Sequence, residues 1–228
     1  MKIIDAHSHI DYITYKYQPG VSDVICCTTN EKQWPILIDM IKHNNNIHGA
    51  FGIHPWFVDS VQNNFCDKLE QLLHTDSRYM IGEVGLDKYK PNMNKQIDIF
   101  TKQLELAIKL KRTIFVHCTG AWDKMLHILK QYKKYDVPII VMHAFKSNVD
   151  ILSQLLEYKN IMFSFNKIDM CAINSCIERI PVDRILIESD GKNSSNLTDL
   201  MQQVIDIKND VNISNIIYNN TFKVISNG

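Results

Sequence analysis

Neither sign of charge prevails in this chain, which carries 25 Lys and Arg against 25 Asp and Glu in 228 residues. No global basic field is therefore available to gather a polyanion. That argues against a dedicated nucleic-acid-binding module, while an enzyme that holds a polyanion through a local patch or bound cations remains open. Nothing approaches the ~18 uncharged apolar residues that span a bilayer. The start, Met1-Lys2-Ile3-Ile4-Asp5-Ala6-His7, lacks the apolar core and cleavage site of a signal peptide, so no membrane partner is expected. Cysteine is sparse, six in all, and Cys26, Cys27, Cys118 and Cys171 lie in or beside apolar runs as small core residues would. Cys171 and Cys176 have no second pair to complete a zinc cluster. A reducing, cytoplasmic setting fits. Linkers, low-complexity blocks and charge runs are also missing, so one domain over 1–228 is expected.

What is present is a repeating alternation. Hydrophobic residues make up 45% and charged residues 22%, which is globular composition. Short β-branched runs at 3–7, 24–28, 49–54, 80–86, 113–117, 138–143, 161–165 and 185–190 read as strands. Amphipathic stretches at 32–43, 67–74, 95–110, 121–132 and 149–157 read as the helices between them. Strands apolar on both faces, alternating with helices, indicate an α/β fold with a parallel sheet. Eight units would close a TIM-type (β/α)8 barrel. The competing open doubly wound sheet would show a Gly-rich phosphate turn after its first strand; here His7-Ser8-His9 stands in that place.

The strand ends carry the chemistry. They hold His7 and His9, His54, Glu83 and Asp87, His117, His143, then Glu188 and Asp190. In a parallel barrel all these ends open on one face, where active sites are built. Imidazoles and carboxylates without thiolates suit a catalytic Zn, Mn or similar ion. His7 and His9, two apart on an extended strand, point the same way. Glu83 lies within an apolar strand, where an unpaired carboxylate is costly; a carboxylate bridging two metal ions explains it better than an ion pair with Lys or Arg. His117 and His143 each follow an uninterrupted apolar run, and two such histidines on neighbouring strands read as ligands rather than core. Asp190 could both ligate and take a proton from water, with Glu188 supporting it one layer deeper. His54 could ligate, orient a substrate oxygen or cap its strand. His43, His48, His74 and His127 fall outside this set and are expected to be solvated.

These motifs in this order resemble the TatD family of metal-dependent deoxyribonucleases, within the wider metallo-dependent hydrolases. The matching pieces are Asp5-Ala6-His7-Ser8-His9-Ile10-Asp11, Gly52-Ile53-His54-Pro55, Ile81-Gly82-Glu83-Val84-Gly85-Leu86-Asp87, Gln96 to His117, Val141-Met142-His143-Ala144-Phe145, Ile187-Glu188-Ser189-Asp190 and a terminal Asn220-Thr221-Phe222. The resemblance implies two divalent metal ions (Zn, Mg or Mn), one on His7, His9, Glu83 and Asp190 and the other on Glu83, His117 and His143. It also implies phosphodiester hydrolysis, with DNA as the usual substrate. The family's Arg after the fifth-strand His and its Pro after the last Asp are missing here, which implies a kept metal site and an altered substrate rim.

The expected chemistry is hydrolysis by metal-activated water, with Asp190, Glu83 and His54 as catalytic residues. Trp56, Trp122, Lys146 and Lys192, just past strand ends, are expected to bind substrate. Lys88 and Lys167 offer further charge for phosphate. The chain shows no stacked aromatic track for a single strand. A small phosphodiester is therefore also an expected substrate, and an amidohydrolase or esterase acting on a small metabolite is the alternative reading. A non-catalytic barrel is disfavoured by retention of all the candidate ligands.

Overall fold

The computed structural model describes residues 2–13, 20–168, 171–191 and 196–227. Eight strands run β1 Ile3–His9, β2 Val21–Cys27, β3 Ile47–Phe51, β4 Met80–Asp87, β5 Ile114–Thr119, β6 Ile140–Met142, β7 Ile161–Phe165 and β8 Ile185–Ile187. They lie side by side in sequence order, every neighbouring pair parallel. The helices are a single turn α1 Ile10–Ile13, then α2 Trp34–His43, α3 Phe65–Thr75, α4 Met93–Leu110, α5 Trp122–Tyr132, α6 Val149–Leu156, α7 Cys171–Arg179, α8 Leu197–Lys208 and α9 Ile213–Ser226. This is the expected (β/α)8 barrel. No helix among the described residues is long and apolar enough to cross a membrane.

The two-residue period of each strand separates two cores. Phe115, Val141 and Leu186 point into the barrel with Ile25, Cys27 and Met80. Their neighbours Ile114, Val116, Ile140, Met142, Ile185 and Ile187 face outward onto the helices. Val224 of α9 joins the inner cluster. Thr113 Oγ1 donates to the Val224 and Asn227 carbonyls at 3.4 and 3.2 Å, fixing that helix beneath β5.

The seam between β8 and β1 is made largely by side chains. Asp190 N–H donates to the His7 carbonyl at 3.0 Å. Ser189 N–H and Oγ–H donate to the two Asp5 carboxylate oxygens at 2.8 and 2.6 Å. Burial pushes the Asp5 carboxyl up to about 7, against the Ser189 hydrogen bonds, which lower it.

Candidate metal centre

Period two carries the inner core upward into the site. Two residues beyond inward Phe115, Val141 and Leu186 come His117, His143 and Glu188, which is why these polar groups enter the barrel mouth. The same parity would send His7, His9 and Glu83 outward, since Ala6 and Met80 are inner residues. Both strands, however, slip register there: β1 against β2 between Asp5 and Ser8, and β4 against β5 between Ile81 and Val84. Such irregularities re-aim side chains. Gly85 follows the second slip at φ +140°, and its lack of a side chain lets β4 lie close to β5, since an added Cβ would collide with the His117 carbonyl oxygen. His54, His143 and Asp190 sit just past the hydrogen-bonded ladders rather than on them. Ala144 and Asp190 have left-handed backbones at φ +44° and +52°, strain of the kind found beside functional groups.

Glu83 is the hub. Its Oε2 lies 3.4 Å from both His7 Nε2 and His9 Nε2. Its Oε1 lies 3.2, 3.0 and 3.1 Å from His54 Nε2, His117 Nδ1 and His143 Nε2. One carboxylate thus divides five imidazoles into two sets. Asp190 Oδ1 joins the first set, 3.5 Å from His9 Nε2, while Asn166 donates to its other oxygen at 3.1 Å. Candidate ligand atoms of His7, His9 and Glu83, of His7, His143 and Asp190, and of His54, Glu83 and His117 each fall within 4.8 Å of one another.

The hydrogen bonds behind the imidazoles assign their tautomers. His9 Nδ1 donates to the Cys27 carbonyl at 3.1 Å and His143 Nδ1 to Glu188 at 2.8 Å, leaving both Nε2 lone pairs aimed at the centre. Glu188 is fully buried and also accepts from Ala144 N–H at 2.9 Å and from the Ser164 hydroxyl. Ring nitrogens facing each other at 3.3 Å (His7 and His9) and facing a carboxylate oxygen at 3.1 Å repel unless a proton or a cation intervenes. His7 Nδ1 is buried with no hydrogen-bond partner. A ligand set backed by carbonyl and carboxylate acceptors fits a divalent ion.

Protonation follows the same logic. Burial alone would raise Glu83, but His54, His143 and His117 around it hold it well below the usual carboxylate range. Burial pulls His7 and His54 down toward the neutral form. His143 is driven up despite its burial by Glu188 and Glu83, so a proton and a cation compete for its Nε2.

His54 differs from the other four. Trp56 N–H donates to its Nδ1 at 3.2 Å, so its proton sits on Nε2 and points at Glu83. It is within reach of an ion, yet it is arranged as a donor. Two buried glutamines on α4, a seven-residue step apart and so on one helix face, fix the loops concerned. Gln103 accepts from Ile53 N–H at 2.8 Å and donates to its carbonyl at 3.2 Å. Gln96 does the same for Asp87 at 2.8 and 3.1 Å. Sequence reasoning gave neither a role; the signal was an amide pair at heptad spacing on an apolar helix face.

At the rim, Trp56 is 55% exposed. Trp122 is half-buried, its ring edge-on to Phe145 at 5.4 Å. Lys146 is exposed on the loop after β6. Lys192 lies outside the described residues. His43, His74 and His127 are exposed as expected. His48 is not: it lies on β3 and pairs with Asp23 of β2 at 3.1 Å, because the parallel ladder brings these positions together. Cys176 is buried with its thiol toward the Ser147 carbonyl, not toward a metal cluster.

Comparison with known proteins agrees with this geometry. A family profile described as TatD related DNase matches residues 4–224. An uncharacterized metal-dependent hydrolase of Buchnera aphidicola subsp. Baizongia pistaciae is 28% identical over 210 residues, covering 84% of this chain and 78% of its own. The 3′-5′ ssDNA/RNA exonuclease TatD of Yersinia pseudotuberculosis is 31% identical over 150 residues, 61% of this chain and 56% of that protein. In fold, the crystal structure of YJJV, a TatD homologue from Escherichia coli K12, matches with a TM-score of 0.86 over 97% of each chain at 18% identity. The barrel and the match over nearly its whole length lead to one assignment: this chain belongs to the TatD family of metal-dependent hydrolases.

Proposed function

We propose that this chain hydrolyses phosphodiester bonds in DNA, using two divalent ions of the Zn, Mg or Mn kind. The observation that carries the reading is the division of the imidazoles by Glu83, whose two oxygens face two separate sets. His7, His9, Glu83 and Asp190 would hold one ion, and Glu83, His117 and His143 the other. Ions held there supply Lewis-acid polarisation of a phosphoryl oxygen and acidify water near neutral pH. Asp190 Oδ1 accepts the proton of the attacking water, while Asn166 keeps the carboxylate oriented through Oδ2. His54, whose Nε2 proton lies against Glu83 Oε1, would turn that donor to a non-bridging phosphate oxygen once Glu83 is engaged by an ion. Trp56, Trp122 and Lys146 would form the substrate rim, and Lys192, outside the described residues, is proposed to bind substrate with them. The Yersinia relative, named for action on single-stranded DNA and RNA, supports a polynucleotide over a small diester. Five unpaired thiols among the described residues go with a cytoplasmic setting.

The test is cleavage of 3′-labelled and 5′-labelled single-stranded DNA by protein loaded with Mg, Mn or Zn, beside Glu83→Ala. Metal-dependent cleavage that is lost in the variant is the expected result, and the product ladder gives polarity. Stoichiometric metal with no diester cleaved would overturn the proposal. It would turn attention to amides and lactones, substrates of the amidohydrolase alternative.

A further inference from the structure

Two of the seven large hydrophobic side chains exposed among the described residues, Trp56 and Tyr89, belong to residues hydrogen-bonded to one buried carboxylate, Asp87, beside the candidate metal centre. Solvent exposure of large aromatics in one place is the usual mark of a binding surface. The indole is not loose. Trp56 Nε1 donates to Asp87 Oδ2 at 2.7 Å, and Asp87 is only 4% exposed. The other Asp87 oxygen accepts from Tyr89 N–H at 2.9 Å. Gln96 clamps the Asp87 backbone from below. Lys90 Nζ stands over the Trp56 ring, 4.2 Å from its centroid, so a cation covers one face of the indole. Tyr89 and Lys88 rest over Gly120 of the β5 exit, where an added Cβ would come within 3.3 and 3.2 Å of them.

This surface is one side chain away from the metal centre. Asp87 Oδ2 is 3.6 Å from His117 Nε2, and the His54 and Trp56 rings are 5.2 Å apart. A planar group lying on the indole would therefore neighbour the site where a phosphate would be held. Resting on the nuclease reading above, we infer that the face of Trp56 opposite Lys90 is a base-stacking subsite for the nucleotide being cleaved, with Lys90 on the other face to meet a flanking phosphate. Asp87 is its positioning residue and ties the platform to His117. A base can lie on the indole only when it is free of its own stack, so the subsite selects single strands or frayed ends. Every base has a π-face, so it selects without regard to sequence. The aromatic track absent from the linear sequence is thus assembled by the exits of β3 and β4.

The experiment compares a single-stranded oligothymidylate with the same strand made abasic at its terminal nucleotides, for the full-length protein and for Trp56→Ala, Trp56→Phe and Asp87→Ala. The expected result is a kcat/KM ratio of base-bearing to abasic strand about 5- to 150-fold lower in Trp56→Ala than in wild type. Most of the loss should fall on KM. Trp56→Phe, which keeps a ring but loses the Nε1 anchor, should fall between, and Asp87→Ala should lower the ratio as well as kcat. A second readout needs no catalysis: in excess chelator and in a Trp122→Phe background, which removes the other rim tryptophan, the oligothymidylate should quench tryptophan fluorescence, and Trp56→Phe should abolish that quenching. An unchanged ratio with DNA still cleaved overturns the subsite and leaves the nuclease reading intact. If wild type cleaves no strand, the nuclease reading fails, and the quenching alone decides the subsite: its absence, or its persistence in Trp56→Phe, overturns it.

Discussion

Glu188→Gln isolates one negative charge in the support of the metal centre. Glu188 is fully buried and accepts from His143 Nδ1 at 2.8 Å, from Ala144 N–H at 2.9 Å and from the Ser164 hydroxyl. A glutamine of nearly equal size keeps an acceptor for His143 and Ala144, and its amide can donate to Ser164 once that hydroxyl rotates. The geometry is thus preserved while charge-assisted hydrogen bonds of ~1.5–3 kcal/mol become neutral ones of ~0.5–1.5 kcal/mol. What changes most is the basicity of His143 Nε2, because the carboxylate behind the ring no longer feeds it charge. Loss of such outer support costs about 10- to 100-fold in metal affinity, or about 1.4–2.7 kcal/mol. The assay is competition with a chromogenic chelator on wild type and variant, beside melting of both proteins in excess chelator to show that the fold is kept. A variant that binds metal as tightly as wild type, with its fold intact, would refute the role given to Glu188 and the assignment of His143 as a ligand.

Two further outcomes follow from the same geometry. Chelation should lower the melting temperature, because ions that bind only the folded chain add about 2.7 kcal/mol at a hundredfold excess over Kd. At ~2–4 °C per kcal/mol for a chain of this size, calorimetry with and without chelator should differ by about 5–11 °C, and coincident melts would argue against a resident metal centre. Gln103→Leu strips the buried Ile53 N–H and carbonyl of their partners, at ~1–3 kcal/mol per group. It should lower the urea midpoint and, by loosening the approach to His54, also kcat; loss of stability with kcat unchanged would free His54 of any catalytic part.

The barrel was legible because its cause is local. Apolar runs of strand length alternate with amphipathic stretches, and eight of them leave little choice of architecture. Residue types at the exits of those runs also named the hub and its histidines, since polar groups at the end of a buried run need a reason to be there. What stayed hidden depends on contacts between distant segments. Helices α7, α8 and α9 went unread where Asn, Ser and Lys interrupt the periodicity, although Leu200, Met201 and Val204 of α8 and Ile217 of α9 are buried. The glutamine clamps leave only an amide pair at heptad spacing in the sequence, because an amide on an apolar helix face acquires meaning only when a backbone lies against it. Trp56 and Tyr89 are far apart in sequence and meet only through Asp87.

Parity explains why two of the strands that carry candidate ligands could not have been derived from alternation alone. Extending the inner core upward from Ala6 and Met80 would place Ser8 and Gly82 at the mouth, not His7, His9 and Glu83. The slips in β1 and β4 change that outcome, and each slip gives up regular ladder pairing to do so. The cost is offset at the seam of the barrel. There Asp5, on the slipped stretch of β1, binds Ser189, and the His7 carbonyl takes the Asp190 N–H at 3.0 Å. The contacts that join the last strand to the first are therefore the same contacts that set His7 and Asp190 beside Glu83. A chain that closed this seam in regular register would lose the hub, and one that failed to close it would leave Asp190 without its place. Closure of the barrel and assembly of the candidate metal centre are in this sense one structural event.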